Sequence, residues 1–172
     1  MPSIRINKEL NEGTYFLTFT VKNWYYVLDR HYRWNIIANS LKYFQKNREL
    51  KLYGFVFMIN HLHLMIFSKD TIGFIRDFKK FVARKILKNI RQTEPNALKI
   101  FRVQVKDAKP TMTYEFWNRT NMPEMITSEK FFLQKLNYVH ENPLKRNYVM
   151  KPEDWYWSSA NKNCELKSDS WL

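Results

Sequence analysis

Glycine is scarce in this chain and cysteine almost missing. The three glycines among 172 residues, Gly13, Gly54 and Gly73, lie too far apart to form GxGxxG or GxxxxGK. A Rossmann dinucleotide fingerprint and a P-loop are therefore excluded as written, and no nucleotide cofactor is expected. Cys164 is the single cysteine; alone it supports neither an internal disulfide nor a multi-cysteine zinc or iron-sulfur centre, and it fits a reducing compartment. No apolar run approaches the roughly 20 residues needed to cross a bilayer, and the first thirteen residues lack the apolar segment of a signal peptide. A cytoplasmic protein without a membrane partner is expected. Acids are also few, 16 against 29 Lys plus Arg, which leaves a formal charge of +13 and favours a polyanionic partner.

Aromatic residues, by contrast, are abundant: 6 Trp, 10 Tyr and 13 Phe make up 17% of the chain. Rings on a basic surface suit nucleic acid, since cations grip phosphates while rings stack bases, although many rings must also fill the core. The length suits one domain, spanning residues 1–172.

The periodicity alternates between strand and helix. Thr14–Val21 reads as a strand. Asp29 can cap a helix carrying Trp34, Ile37, Leu41 and Phe44 inward, with Arg30, Arg33, Lys42 and Lys46 largely outside. Leu52–Ile59 and Leu62–Phe67 read as a hairpin joined at Asn60 and His61. Thr71–Arg91 predicts a long helix with Phe74, Phe78, Val82, Ile86 and Ile90 in one buried row. Arg76, Lys80, Arg84, Lys88 and Arg91 lie about 200° around the helix axis from that row. Thr93–Pro110 interrupts the pattern, and Ile100–Lys106 fits either strand or helix. Tyr114–Trp117 is the expected closing strand. Ser128 can cap a last helix that buries Phe132, Leu136 and Val139, and Asn142-Pro143 is expected to end it. This order predicts an α+β, ferredoxin-like split βαβ fold: an antiparallel sheet with helices on one face, plus a C-terminal tyrosine-bearing helix.

Two segments carry chemistry. In Asn60-His61-Leu62-His63 the strand alternation directs both imidazoles to one face, close enough to share a cation; a hydrogen-bonded histidine pair is the plainer alternative. In Tyr138-Val139-His140-Glu141-Asn142, Tyr138 and Asn142 are i and i+4 and share a helix face, though a packing tyrosine with a solvated hydroxyl is the commoner case. Taken together, two imidazoles and an amide oxygen could hold a divalent ion beside a phenol able to attack phosphate. No acidic triad suggests a two-metal nuclease.

These residues resemble the single-tyrosine HUH transposases, most closely their REP-associated tyrosine transposase branch. His61-Leu62-His63 has the form His-hydrophobic-His, and Tyr138 to Pro143 looks like that branch's Tyr-x-x-x-Asn-Pro signature. Phe116-Trp117-Asn118 leading to Pro123-Glu124-Met125-Ile126, and Pro152 to Ser159 with Trp155 and Trp157, are also similar. The likeness spans residues 13–159, with 93–113 as a variable insertion and 160–172 as a tail. It implies a metal-dependent DNA transposase that cuts and rejoins single-stranded or hairpin DNA using Mg²⁺ or Mn²⁺. His61, His63 and Asn142 would be the metal ligands and Tyr138 the nucleophile, joined covalently to a 5′ phosphate. It also implies action as a monomer or as a homodimer exchanging the tyrosine helix. The insertion is longer than expected in compact members, and Trp117-Asn118 replaces the more usual Trp-Gln.

For DNA contact the sequence offers the basic row Arg76, Lys80, Arg84, Lys88 and Arg91, and the pair Lys145 and Arg146, as phosphate binders. Trp117 could stack a base, and Asn118 and Arg119 could read a base edge or a hairpin backbone. An ordinary solvated helix face and a packed tryptophan are the alternatives. Trp155 and Trp157 are expected to pack, and His31 to be structural. A noncatalytic single-stranded nucleic-acid-binding protein of the same fold is the competing function.

Overall fold

Four strands and three α-helices make up the regular structure in a computed structural model that describes residues 6–103 and 113–171. The strands β1 (Gly13–Thr20), β2 (Lys51–Phe57), β3 (His61–Ser68) and β4 (Glu124–Met125) form one antiparallel sheet in the order β2-β3-β1-β4. The helices are α1 (Arg33–Asn47), α2 (Thr71–Thr93) and α3 (Glu129–Lys145). Element order and strand order are those of a split βαβ fold.

Alternation along the strands sorts side chains between two layers. Tyr15, Leu17 and Phe19 of β1 and Leu62, Leu64 and Ile66 of β3 join Ile37, Leu41 and Phe44 of α1 and the Phe74, Phe78, Val82, Ile86 and Ile90 row of α2 in the main core. On the other face Phe16, Val56 and Met65 meet Phe132 and Val139 of α3 in a smaller cluster. The tyrosine-bearing helix thus covers part of the face that α1 and α2 leave free. Gly54 permits this close approach, since a Cβ there would come within 2.7 Å of Leu136 Cδ1.

Several boundaries differ from the sequence reading. The turn between β2 and β3 is Met58–Asn60, closed by Met58 N–H donating to His61 O (2.8 Å), so His61 belongs to the strand. Asp29 does not cap α1. His31 and Tyr32 adopt left-handed backbone (φ 56° and 59°), which delays the helix to Arg33. Arg33 is wholly buried rather than outside. Its guanidinium donates to Val27 O (2.8 Å), Asn89 Oδ1 (2.8 Å) and Thr93 Oγ1 (3.0 Å) and pairs with Glu94 (2.6 Å), tying the start of α1 to the end of α2. His31 lies 3.8 Å from the same carboxylate. At the start of α2, Asp70 accepts from Gly73 N–H (2.9 Å), and at α3 Ser128 caps as expected, accepting from Phe131 N–H (3.2 Å).

Asn142-Pro143 does not end α3, which continues to Lys145 with Pro143 inside it. The proline forfeits the N–H that would donate to Val139 O, but only two helical residues follow it, so little helix is left to kink, and Asn142 keeps helical geometry. Pro95–Phe101 forms 3-10 turns, Arg102 bridges Tyr114, and 104–112 of the insertion lie outside the described residues.

The closing strand is not Tyr114–Trp117. The segment Phe116–Ile126 runs irregularly along β1: Trp117 bridges Val21, Asn121 O accepts from Thr18 N–H (2.8 Å), and β4 pairs with Tyr15 and Phe16. At the other edge, Val56 bridges Ser158, Trp157 O accepts from Phe57 N–H (2.8 Å), and Asp169 exchanges bonds with Leu52. Beyond residue 159, Cys164 and Leu166 enter the main core, and Trp171 stacks on Phe132 with centroids 4.1 Å apart.

Candidate active site

The site occupies the α3 side of the sheet. His61 and His63 project from β3 with ring centroids 4.9 Å apart, and both are buried. Asn60 Nδ2 donates to Trp24 O (3.0 Å), which turns its Oδ1 toward His61 Nδ1 at 2.7 Å. That nitrogen must therefore carry the proton, leaving the Nε2 lone pair for another partner. Across the sheet Thr18, in register with His63, places its hydroxyl 2.9 Å from His63 Nδ1, and Phe16 stacks on the ring at 5.3 Å.

Burial chiefly sets the charge state of this pair. It pulls His61 down to about 4, with the nearby Arg146 charge adding and the Asn142 side chain opposing. His63 falls to about 3 from burial, reinforced by His61, Lys135 and Arg146. Both rings are neutral near pH 7 and keep the lone pairs a cation requires.

Helix α3 brings the second group. Tyr138 meets His63 with ring centroids 5.3 Å apart and remains 40% exposed. Four residues on, Asn142 is buried, its Oδ1 has no hydrogen-bond partner among the described residues, and its amide lies near enough to His61 to favour a protonated ring. A buried carbonyl oxygen in that position is costly unless something electropositive meets it. Lys145 Nζ stands 5.5 Å and Lys135 Nζ 5.9 Å from the Tyr138 ring centroid. Lys145 also pairs with Glu141, and Lys135 with Glu124. Two nitrogen donors, an amide oxygen, an accessible phenol and positive charge around it are therefore assembled by two elements. Among the described residues no group of three or more His, Cys, Asp or Glu side chains is placed to hold a metal, so any ion here would need the amide.

The remaining sequence candidates separate. Lys145 and Arg146 are at the site. Arg76, Lys80, Arg84, Lys88 and Arg91 are exposed on α2, facing away from the sheet on the opposite side of the molecule. Lys80 and Arg84 there line a groove of about 270 Å³ with Tyr43, Phe81 and Arg48. Trp117 is a core residue rather than a stacking surface; it is 4% exposed, and its Nε1 donates to Lys79 O (3.2 Å). Asn118 and Arg119 sit at the outer edge of β1, where Asn118 N–H donates to Thr20 O (2.8 Å) and Thr20 pairs with His61. Arg119 is exposed and paired with Glu115. Both carbonyls accept from the half-buried Lys79 ammonium, which partial burial lowers to about 8. Trp155 and Trp157 pack, as expected. His140 points elsewhere, its Nε2 lying 2.9 Å from Ser159 Oγ.

Sequence reasoning missed Thr18, Asn60, Lys135 and Trp24. Lys135 is i−3 from Tyr138 and could have been found by helical spacing. Thr18 needed the strand register, and Trp24 the path of a loop.

No protein-family model and no curated protein matches the sequence. Solved structures do match. A REP-associated tyrosine transposase bound to a REP hairpin is 19% identical over 92% of this chain and 82% of that one, with a TM-score of 0.62. A putative transposase from Deinococcus radiodurans R1 is 20% identical over 81% of this chain and 96% of that one, with a TM-score of 0.48. With its strand order and its tyrosine-bearing helix across the free sheet face, the chain has the fold of a REP-associated tyrosine transposase.

Proposed function

We propose that the chain is a DNA transposase of the single-tyrosine kind, cutting and rejoining single-stranded DNA near hairpins. The observation that carries this reading is the convergence of Tyr138, His61, His63 and the unpartnered Asn142 oxygen on one partly open sheet face. The similarly folded protein bound to a REP hairpin supports hairpin DNA as the substrate class.

The donor set fits a divalent ion. His61 Nε2 is a directed lone pair, His63 is neutral, and Asn142 Oδ1 is a buried oxygen in want of a positive partner. His61, His63 and Asn142 would hold Mg²⁺ or Mn²⁺. Such an ion would polarise the scissile phosphate and offset its developing negative charge.

The protein's own groups account for the rest. Lys145, Lys135 and Arg146 draw the phosphodiester toward Tyr138, since positive charge attracts DNA irrespective of sequence. Tyr138 Oη then forms a bond to phosphorus while the bond from phosphorus to the 3′ oxygen breaks. The phenolic proton is lost and the departing 3′ oxygen gains one, so the charge balances. The product is a 5′-phosphotyrosine ester and a free 3′ hydroxyl, and a second hydroxyl can reverse the step on another strand. No ATP is consumed, because one ester replaces another.

The test is a denaturing gel with labelled hairpin DNA and Mg²⁺ or Mn²⁺. A protein-DNA adduct is expected that disappears in Tyr138→Phe and falls at least tenfold, by order of magnitude, in His61→Ala. An adduct undiminished in Tyr138→Phe rejects the assignment. Cleavage without attachment would instead indicate activated water, and salt-sensitive binding without cleavage a noncatalytic protein.

A further inference from the structure

We propose that Trp24 is a stacking platform for an unpaired base next to the His61 and His63 site. The inference rests on the reading that single-stranded DNA enters there. Trp24 is 56% exposed, whereas Trp117 and Trp157 are buried. Its ring approaches His61 edge-on, with centroids 6.2 Å apart.

An exposed ring on a loose loop would mean little, but this loop is tightly held. Val21 N–H donates to Asn60 O (2.9 Å), and Val27 and Leu28 N–H both donate to Ile59 O (3.1 and 3.0 Å). Trp24 N–H donates to Val21 O (3.0 Å), and Trp24 O accepts from Asn60 Nδ2. The loop is thereby fastened at several points to the turn that precedes the histidines.

The backbone is also constrained. Asn23 and Trp24 both have left-handed φ, 57° and 55°, a region that bulky side chains seldom occupy. Such conformations persist where surrounding bonds over-determine them, and they concentrate at functional sites. Here the constraint holds a large π-surface in solvent instead of folding it into the core. A ring so placed, beside a site suited to phosphate in a chain of charge +13, matches an unpaired nucleobase: every base has a π-face, and stacking tolerates any sequence. The Asn60 amide joins the two functions, holding the Trp24 carbonyl with one end and His61 with the other.

The experiment uses the full chain carrying Tyr138→Phe, so that the strand stays intact. The probe is a G·C hairpin with a single-stranded 5′ arm of about ten nucleotides, within the length such surfaces track. 2-Aminopurine is walked through the arm. At one or two positions its fluorescence should fall on binding. Adding Trp24→Leu should abolish that fall and weaken binding about tenfold, while Trp24→Phe retains most of both. Affinity for the same hairpin without an arm should be unchanged by Trp24→Leu, which reports an intact fold. An unaltered fluorescence profile in Trp24→Leu overturns the proposal. So does an equal loss of affinity for the armless hairpin. If the parent chain forms no adduct yet the Trp24-dependent fall persists, the stacking site stands and the transposase reading fails; an adduct without that fall has the reverse meaning.

Discussion

The two faces of the sheet are built to different rules. On the α1 and α2 side, 28 buried residues join one continuous core among the described residues, while the α3 side gathers seven. The first face has ample apolar burial, at roughly 25 cal/mol per Å² removed from water, to carry most of the stability. The second is polar where it matters: imidazoles, an amide and a threonine hydroxyl occupy positions that a core would give to aliphatics. The lesson is a division of labour across a single β-strand. Leu62 and Leu64 of β3 hold the fold, and His61 and His63, one residue away, are free to hold something else.

Substitutions can probe each face separately. The largest expected change in stability is for Phe78→Ala, which empties the centre of the first face and should cost about 3–5 kcal/mol in urea unfolding. A cost under about 1 kcal/mol would mean that stability is shared more evenly.

Arg33→Ala comes next. It removes three hydrogen-bond donations and the buried partner of Glu94, and about 2–3 kcal/mol should be lost in the same assay. Burial raises Glu94 while Arg30 and Arg33 outweigh it, so its carboxyl sits below the usual range in the native state.

On the second face the effect should depend on pH. Buried neutral His61 and His63 resist protonation down to about 4 and about 3, whereas the unfolded chain takes up protons near 6.5. The unfolded state binds more protons in that window, so stability should fall as pH drops from about 6.5 toward about 4. Urea midpoints at about pH 7 and about pH 4.5, with chelator present, should differ less in a His61→Asn, His63→Gln double variant than in the parent. Equal drops in both would remove the histidines as the cause. The smallest effect belongs to Tyr138→Phe, expected within about 0.5 kcal/mol of the parent because its ring is retained and partly exposed. The same substitution should abolish the adduct.

How much of this was legible in the sequence follows from the range of each signal. The His61 and His63 pairing needed only strand alternation, and Tyr138 with Asn142 only the helical repeat; both are local, and both groups lie where those periods put them. Their meeting on one sheet face rests on complementary chemistry and on the resemblance, since no spacing rule joins residue 63 to residue 138. Charge pattern alone puts Arg33 outside, whereas its position one turn before Ile37 puts it on the buried face. The closing strand is hard to place from sequence because β4 is two residues long and Tyr114–Trp117 is richer in rings. Thr18 and Asn60 act through tertiary register, which periodicity does not encode.

Both margins of the sheet are occupied by the chain's own irregular segments, 116–126 beside β1 and 157–159 with Asp169 beside β2. Along the paired stretches, neither margin offers a continuous ladder of unspent amides for an outside strand to extend. Self-association through a shared, molecule-spanning sheet would have to begin by peeling away one of these segments. Contact through helix and loop surfaces needs no such rearrangement.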